Sequence, residues 1–210
     1  MQKVFLTKDQ LLSRARDLIG AERKIIGITG APGAGKSTIA NLIVAELGEK
    51  NSALVPMDGF HLANTVLERT GKLSRKGAID TFDGEGYLNL LRRLRARDEE
   101  VVYAPDYYRT FEESIGSAIP VSSSIPLVIT EGNYLLFRQS PWDQVRELLD
   151  EVWFIDLEQN VRIDRLIKRH IEVGKSAPDA EKWAKGSDEV NAQAVLALKD
   201  SADLVIEIIE

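Results

Sequence analysis

The segment Gly30-Ala31-Pro32-Gly33-Ala34-Gly35-Lys36-Ser37 carries the spacing G-x-x-x-x-G-K-[ST] in full. Its glycines allow successive backbone N–H groups to turn inward around a phosphate. A lysine in that register bridges β- and γ-phosphate oxygens, and a serine hydroxyl there is a ligand for Mg²⁺. With Thr38 following, these residues form an expected site for ATP and Mg²⁺. A glycine-rich turn that merely joins strand to helix is the plain alternative, and Lys-Ser in register argues against it.

Two carboxylates and three guanidiniums could complete the chemistry. Asp58 follows the apolar run Ala53–Met57, and Glu131 follows Leu127–Thr130. At the C-terminal ends of parallel strands both would border the crevice that holds the phosphate loop. A carboxylate there can take a proton from a hydroxyl or hold Mg²⁺ through water. Either acid could instead sit at the surface or cap a helix. Arg162, Arg165 and Arg169 follow i, i+3, i+7 and share one helix face, while Ile163, Leu166 and Ile167 fill another. Such a stripe suits a lid over a triphosphate, or a solvated helix face. Gly174-Lys175-Ser176 reads as a hinge after it. No Asn-Lys-x-Asp or Leu-Ser-Gly-Gly-Gln segment occurs, which argues against a guanine-specific switch and a transporter ATPase.

Positioning these groups requires alternating strands and helices. Thr7-Lys8-Asp9-Gln10 reads as a capping box, with Leu6 and Leu11 as a hydrophobic staple, opening a helix to about Ile19 that stops at Gly20. Lys24–Thr29 reads as a buried strand, and the helix after the glycine loop carries Ile39, Leu42, Ile43 and Leu47 on one face. Further strands are expected at Ala53–Met57, Leu127–Thr130, Val152–Ile155 and Leu204–Ile208, with helices near 85–97, 141–149, 158–173 and 179–199. This alternation predicts an α/β fold whose parallel sheet is covered on both faces. Gly71–Asp83 and Tyr103–Ser124 are the least regular stretches.

The 210 residues, 44% of them hydrophobic, suit a single domain over 1–210. A balance of 27 Lys+Arg against 33 Asp+Glu argues against nucleic acid or an anionic membrane as partner. There is no cysteine, so neither disulfides nor thiolate metal sites can form. Met1–Lys8 has no long apolar region and no run reaches a bilayer span, so a cytoplasmic protein is expected.

Beyond the phosphate loop, four segments resemble the uridine kinase, phosphoribulokinase and bacterial pantothenate kinase branch of P-loop kinases. Pro56-Met57-Asp58-Gly59-Phe60-His61 is similar to the Asp-x-Phe motif that supplies the base, and Arg75–Asp83 to the segment shaping the acceptor side. Ala104-Pro105-Asp106-Tyr107-Tyr108-Arg109 resembles a substrate-facing Pro-x-Tyr motif, and Thr130-Glu131-Gly132-Asn133 the Glu-Gly motif near the metal. The resemblance extends to small bacterial proteins labelled nucleoside-kinase-like or fructokinase.

It implies a three-layer P-loop NTPase fold with a parallel five-stranded sheet, order 2-3-1-4-5, an acceptor-side insertion over about 59–124 and a helical lid over about 160–178. It implies Asp58 as base, Glu131 at the metal, and Arg165 and Arg169 as lid cations; the loop spacing adds Lys36 as a catalytic cation and Ser37 at the metal, and the helix stripe places Arg162 beside the nucleotide. Phe60, His61, Asp80, Tyr107, Arg109 and, by a loose match, Asn191 form the expected acceptor set. Several keep a second reading: His61 as a hydrogen-bonded loop residue and Arg109 as a surface arginine, while Asp83 either lines the acceptor pocket or, as favoured, caps the helix that follows. His170 and Trp183 read as structural. Where uridine kinases hold ribose with an acid, Gly77 stands here, and Arg109 occupies the place of a pantothenate kinase histidine.

The expected activity is ATP-dependent phosphorylation of a small-molecule hydroxyl, on a sugar, a pantothenate-like compound or a nucleoside. A homodimer is compatible with it. The rival is a nucleotide-binding switch or regulatory ATPase without a small acceptor, and an open pocket beside Asp58 separates the two.

Overall fold

The computed structural model describes residues 3–208. The reading of the N-terminus from Met1 and Gln2 therefore lies partly outside the described residues. No helix among them is long and apolar enough to cross a membrane.

The chain runs β1 (Lys3–Leu6), α1 (Lys8–Asp17), β2 (Lys24–Thr29), α2 (Lys36–Leu47), β3 (Ser52–Pro56), α3 (Asn64–Arg69), α4 (Gly84–Ala96), β4 (Val101–Tyr108) and β5 (Glu113–Ser122). It continues with β6 (Leu127–Glu131), α5 (Trp142–Glu147), β7 (Glu151–Ile155), α6 (Gln159–Glu172), α7 (Ala177–Lys185), α8 (Ser187–Leu196) and β8 (Leu204–Ile208). Six strands form a parallel sheet in the order β1-β8-β7-β2-β6-β3. The expected five-strand order is contained within it, and the correction is the sixth strand. β1 adds to the edge through pairs such as Val4↔Ile206, a four-residue run too short to announce itself by periodicity.

Side-chain alternation splits the sheet into two cores. Ile26, Ile28, Leu127, Ile129, Trp153 and Ile155 face α1 and α2, packing on Leu11, Ile39 and Ile43. Ile25, Val128, Val152 and Phe154 face the other way, onto Tyr87 and Leu91 of α4 and Trp142 of α5. Both faces are covered, which is why these strands read as continuous apolar runs. The Thr7–Gln10 capping box forms as expected, and Asp83 caps α4 by accepting from the Gly86 N–H at 2.8 Å.

Two further expectations need correcting. Tyr103–Ser124 is no irregular stretch: most of it lies in the antiparallel pair β4–β5, whose register shifts between Ala104 and Asp106. Ser, Gly and Pro within β5 mask its alternation. The single helix expected over 179–199 divides at Gly186 into α7 and α8.

Candidate active site

The phosphate loop lies between β2 and α2 and is packed against α6. Gly33 has φ +84°, and a Cβ there would stand 2.8 Å from the Arg162 carbonyl oxygen and 2.8 Å from Leu166 Cγ. Only glycine fits that approach. Lys36 is buried, with Nζ donating to the Gly30 and Ala31 carbonyls at 3.0 and 3.2 Å. Burial pushes its ammonium down to about 8, against the opposing pull of Glu131 and Asp58.

Asp58 sits in a 3-10 turn directly after β3, and Glu131 is the last residue of β6, so adjacent strands deliver both acids to one crevice. The Ser37 hydroxyl donates to Glu131 Oε1 at 2.7 Å. Burial and the neighbouring Asp58 raise the Glu131 carboxyl, while Lys36 and Ser37 oppose the shift. Burial also acts to raise Asp58, but His61, Arg109, Lys36 and Arg169 outweigh it and hold that carboxyl below its usual range. The two acids are pushed apart, leaving Asp58 the readily ionised one. One carboxylate beside one hydroxyl is an all-oxygen donor set, which fits Mg²⁺, an ion that takes few protein ligands and shares the rest with phosphates and water.

Asp58 is approached by Arg109, whose Nη2 donates to Oδ2 at 3.0 Å. The contact depends on Gly59: a Cβ there would lie 2.4 Å from the Pro105 carbonyl oxygen, so glycine allows β4 to press against the Asp58 turn. His61 Nδ1 lies 2.8 Å from the Asp58 carbonyl oxygen. Its ring is held between Phe82 and Tyr107, with centroids at 4.0 and 4.6 Å.

Two cavities open around these groups. One, of about 740 Å³, is lined by Gly33–Thr38 together with Lys8, Leu11, Leu42, Leu157 and Arg165. The other, of about 710 Å³, is lined by Asp58, His61, Lys76, Gly77, Phe82, Tyr107, Glu131, Asn133, Trp183 and Asn191. Lys36, Ser37, Arg109 and Arg169 line both. Among the described residues the Arg169 guanidinium has no hydrogen-bond or ion-pair partner, and burial, then the neighbouring Arg109, lowers it.

Most of the expected residues thus converge. Arg165 joins the phosphate-loop cavity, and His61, Tyr107, Arg109 and Asn191 join Asp58 in the other. At the start of the loop, Gly30 and Ala31 line neither cavity and Pro32 lines the one beside Asp58, and three other expected residues also fail to reach a cavity. Arg162 is 1% exposed and is spent on the Pro32 carbonyl, at 3.3 Å, and on the Glu189 carboxylate, so it anchors α6 to the phosphate loop from behind. Phe60 is buried in the core against Tyr87, at a 5.2 Å ring separation. Asp80 is exposed and paired with Lys72 and Arg75. The i+3 stripe could not separate Arg162 from its neighbours, because burial by Glu189 comes from a helix far along the chain.

Other lining residues escaped the sequence reading. Lys76 donates to Asn64 Oδ1 at 2.6 Å and to the Glu112 carbonyl. His170 pairs with Asp188 at 2.7 Å, and Lys175 lies 4.6 Å from the Trp183 ring centroid; all four line the cavity, from α6, the α6–α7 connection, α7 and α8. Lys76 and Asn133 belong to quoted motif segments and could have been named; nothing in the sequence pointed to Asp188, or to Lys8 and Leu11.

Comparison with known proteins gives a consistent set of likenesses. The model of the family described as "Phosphoribulokinase / Uridine kinase family" matches residues 25–209. A Schizosaccharomyces pombe protein named "putative uridine kinase" is 28% identical over 210 residues, 95% of this chain and 89% of that one. A pantothenate kinase of Limosilactobacillus reuteri is 31% identical over 142 residues, 65% of this chain and 46% of that enzyme. The crystal structure of a "putative fructose transport system kinase" from Silicibacter superposes with a TM-score of 0.83 at 33% identity, covering 95% of this chain and 98% of that one.

Proposed function

This chain belongs to the phosphoribulokinase/uridine kinase family, and from that premise we propose that it transfers the γ-phosphate of ATP to a hydroxyl of a small molecule held beside Asp58. The carrying observation is the seam: Lys36, Ser37, Arg109 and Arg169 line both cavities, so a phosphate held on one side meets a hydroxyl held on the other. The acceptor hydroxyl hydrogen-bonds to Asp58. As its oxygen bonds to the γ-phosphorus, its proton passes to that carboxylate. The bond from phosphorus to the β,γ-bridging oxygen breaks, and ADP leaves with the electron pair. Lys36, Arg165 and Arg169 stabilise the equatorial oxygens. Mg²⁺, held by Ser37 and Glu131, would neutralise charge shared between the β- and γ-phosphates.

A low carboxylate suits this role. Little proton transfer is needed until late in a loose transition state, so orientation matters more than basicity. Phe82, Tyr107 and Trp183 with Asn133 and Asn191 give the acceptor cavity an apolar wall and hydrogen-bonding groups, suited to a sugar, a pantothenate-like compound or a nucleoside. The relatives' names, which point to uridine, pantothenate and fructose, span the same range. A switch without an acceptor has no use for a cavity of about 710 Å³ beside Asp58.

The test is ADP release coupled to an optical readout across sugars, sugar phosphates, pantothenate-like compounds and nucleosides, with mass detection of the product. Acceptor-dependent release with a product one phosphoryl heavier is expected. ADP release that is the same with and without every acceptor opposes the reading.

A further inference from the structure

Arg109 directly follows β4, in the turn of the two-stranded sheet, yet it reaches the turn that carries Asp58 on the main sheet. Only Nη2 is engaged there, and its other N–H donors have no hydrogen-bond partner among the described residues. A guanidinium has five donors in a fixed fork, so one edge can hold a carboxylate while another stays available to phosphate. The side chain is half exposed, lines both cavities, and lies close enough to Lys36 and Arg169 for their like charges to be felt. Asp58 and Glu131 answer part of the charge of the three cations on this seam, and the unengaged N–H donors of Arg109 leave capacity there for a further anion.

Two roles are open to such a residue. An acceptor-binding arginine would keep its guanidinium free for the acceptor, away from the phosphate loop. Arg109 does the reverse: it is tied to the base and borders the phosphate-loop cavity.

We propose that Arg109 is a catalytic residue that bridges the base to the migrating phosphoryl group, holding the Asp58 carboxylate with Nη2 and an equatorial phosphoryl oxygen with a remaining N–H. This rests on the kinase reading above. In that arrangement the acceptor hydroxyl, Asp58 and the phosphorus are held by one rigid plane, so the packing of β4 on the Asp58 turn sets the line of attack. No new bond is made by Arg109; it keeps its proton throughout, and the covalent balance is that of the transfer itself.

The probe is ADP with Mg²⁺ and aluminium fluoride, which mimics the phosphoryl group in flight, compared by calorimetry with ADP and Mg²⁺ alone. Wild-type protein should bind the fluoride complex more tightly than ADP. In Arg109→Ala, ADP affinity should stay within about twofold, while the gain from fluoride falls about tenfold or more. Arg109→Lys should restore part of it, since a point charge replaces only part of the fork. Retained ADP affinity serves as the control for folding. A full fluoride gain in Arg109→Ala overturns the proposal, as does an equal loss of ADP and fluoride-complex affinity. A variant that keeps the fluoride gain but shows a raised acceptor KM at unchanged kcat also overturns it and returns Arg109 to acceptor binding, with the kinase reading intact. No fluoride gain in the wild type, together with no acceptor-dependent ADP release, overturns both.

Discussion

On the donor side, the residues from Gly30 to Thr38 form one unbroken run, made of the loop after β2 and the first turn of α2. On the acceptor side, Asp58, Lys76, Tyr107, Asn133 and Asn191 arrive from separate segments, set on a turn, a loop, a hairpin and a helix of the C-terminal group. The difference is physical. Phosphate is the same in every nucleotide, so a fixed backbone cradle at a helix N-terminus serves it. An acceptor is recognised by its particular shape, which side chains converging from many elements can vary without disturbing the sheet.

The comparison can be broken at the donor end first. Lys36→Ala should cost about a thousandfold in kcat/KM and weaken ATP binding as well, because the ammonium serves ground state and transition state alike. A loss confined to the acceptor KM would mean that the two halves are wrongly divided.

The second test uses pH. The Lys36 ammonium loses its proton at about 8 in the free protein, so its charged fraction falls as pH rises beyond that value. ADP affinity measured by calorimetry should therefore weaken above pH 8, by up to about tenfold per pH unit. Lys36→Met should abolish that dependence. The same shift affects folding in the opposite sense: the unfolded lysine holds its proton up to its ordinary value of 10.5, so this group alone makes stability rise with pH between about 8 and 10.5. Affinity that stays flat from pH 7 to 9 in the wild type would remove Lys36 as the titrating contact.

At the acceptor end, Asn191→Ala should raise the acceptor KM by about tenfold, the worth of one lost hydrogen bond, and leave the ATP KM unchanged. Steady-state kinetics in both substrates separates these, and equal changes in both would erase the boundary between the cavities. The smallest effect is expected from Asp80→Asn. Its pairs with Lys72 and Arg75 are at the surface, so turnover and melting temperature should hardly move, in keeping with about 0–1 kcal/mol for such pairs. A large loss of turnover there would restore Asp80 to the acceptor set.

The same contrast governs what could be read from the sequence. The apolar runs that became β2, β3, β6, β7 and β8 were legible because both faces are buried, and the phosphate loop because its spacing is local. β1 was too short to read, and the β4–β5 hairpin was hidden by its Ser, Gly and Pro content. At the site, Asp58 and Glu131 were found from strand ends. Arg162 was misplaced because helical spacing describes a face and not what covers it; Glu189 covers it. Phe60 and Asp80 were misplaced for a related reason: within a motif segment, neighbours point in different directions, one into the core and one into solvent. Asp188 was invisible because its place in the cavity depends on His170, two helices away.

The most direct test of the central claim is Asp58→Asn, assayed side by side for nucleotide affinity and for acceptor-dependent turnover. Transfer should fall by about 10²–10⁴-fold, the usual worth of a positioned general base, while ADP and ATP affinities stay within about threefold. Near-normal turnover in Asp58→Asn would contradict the account, because the acceptor cavity would then have no base where the two halves meet.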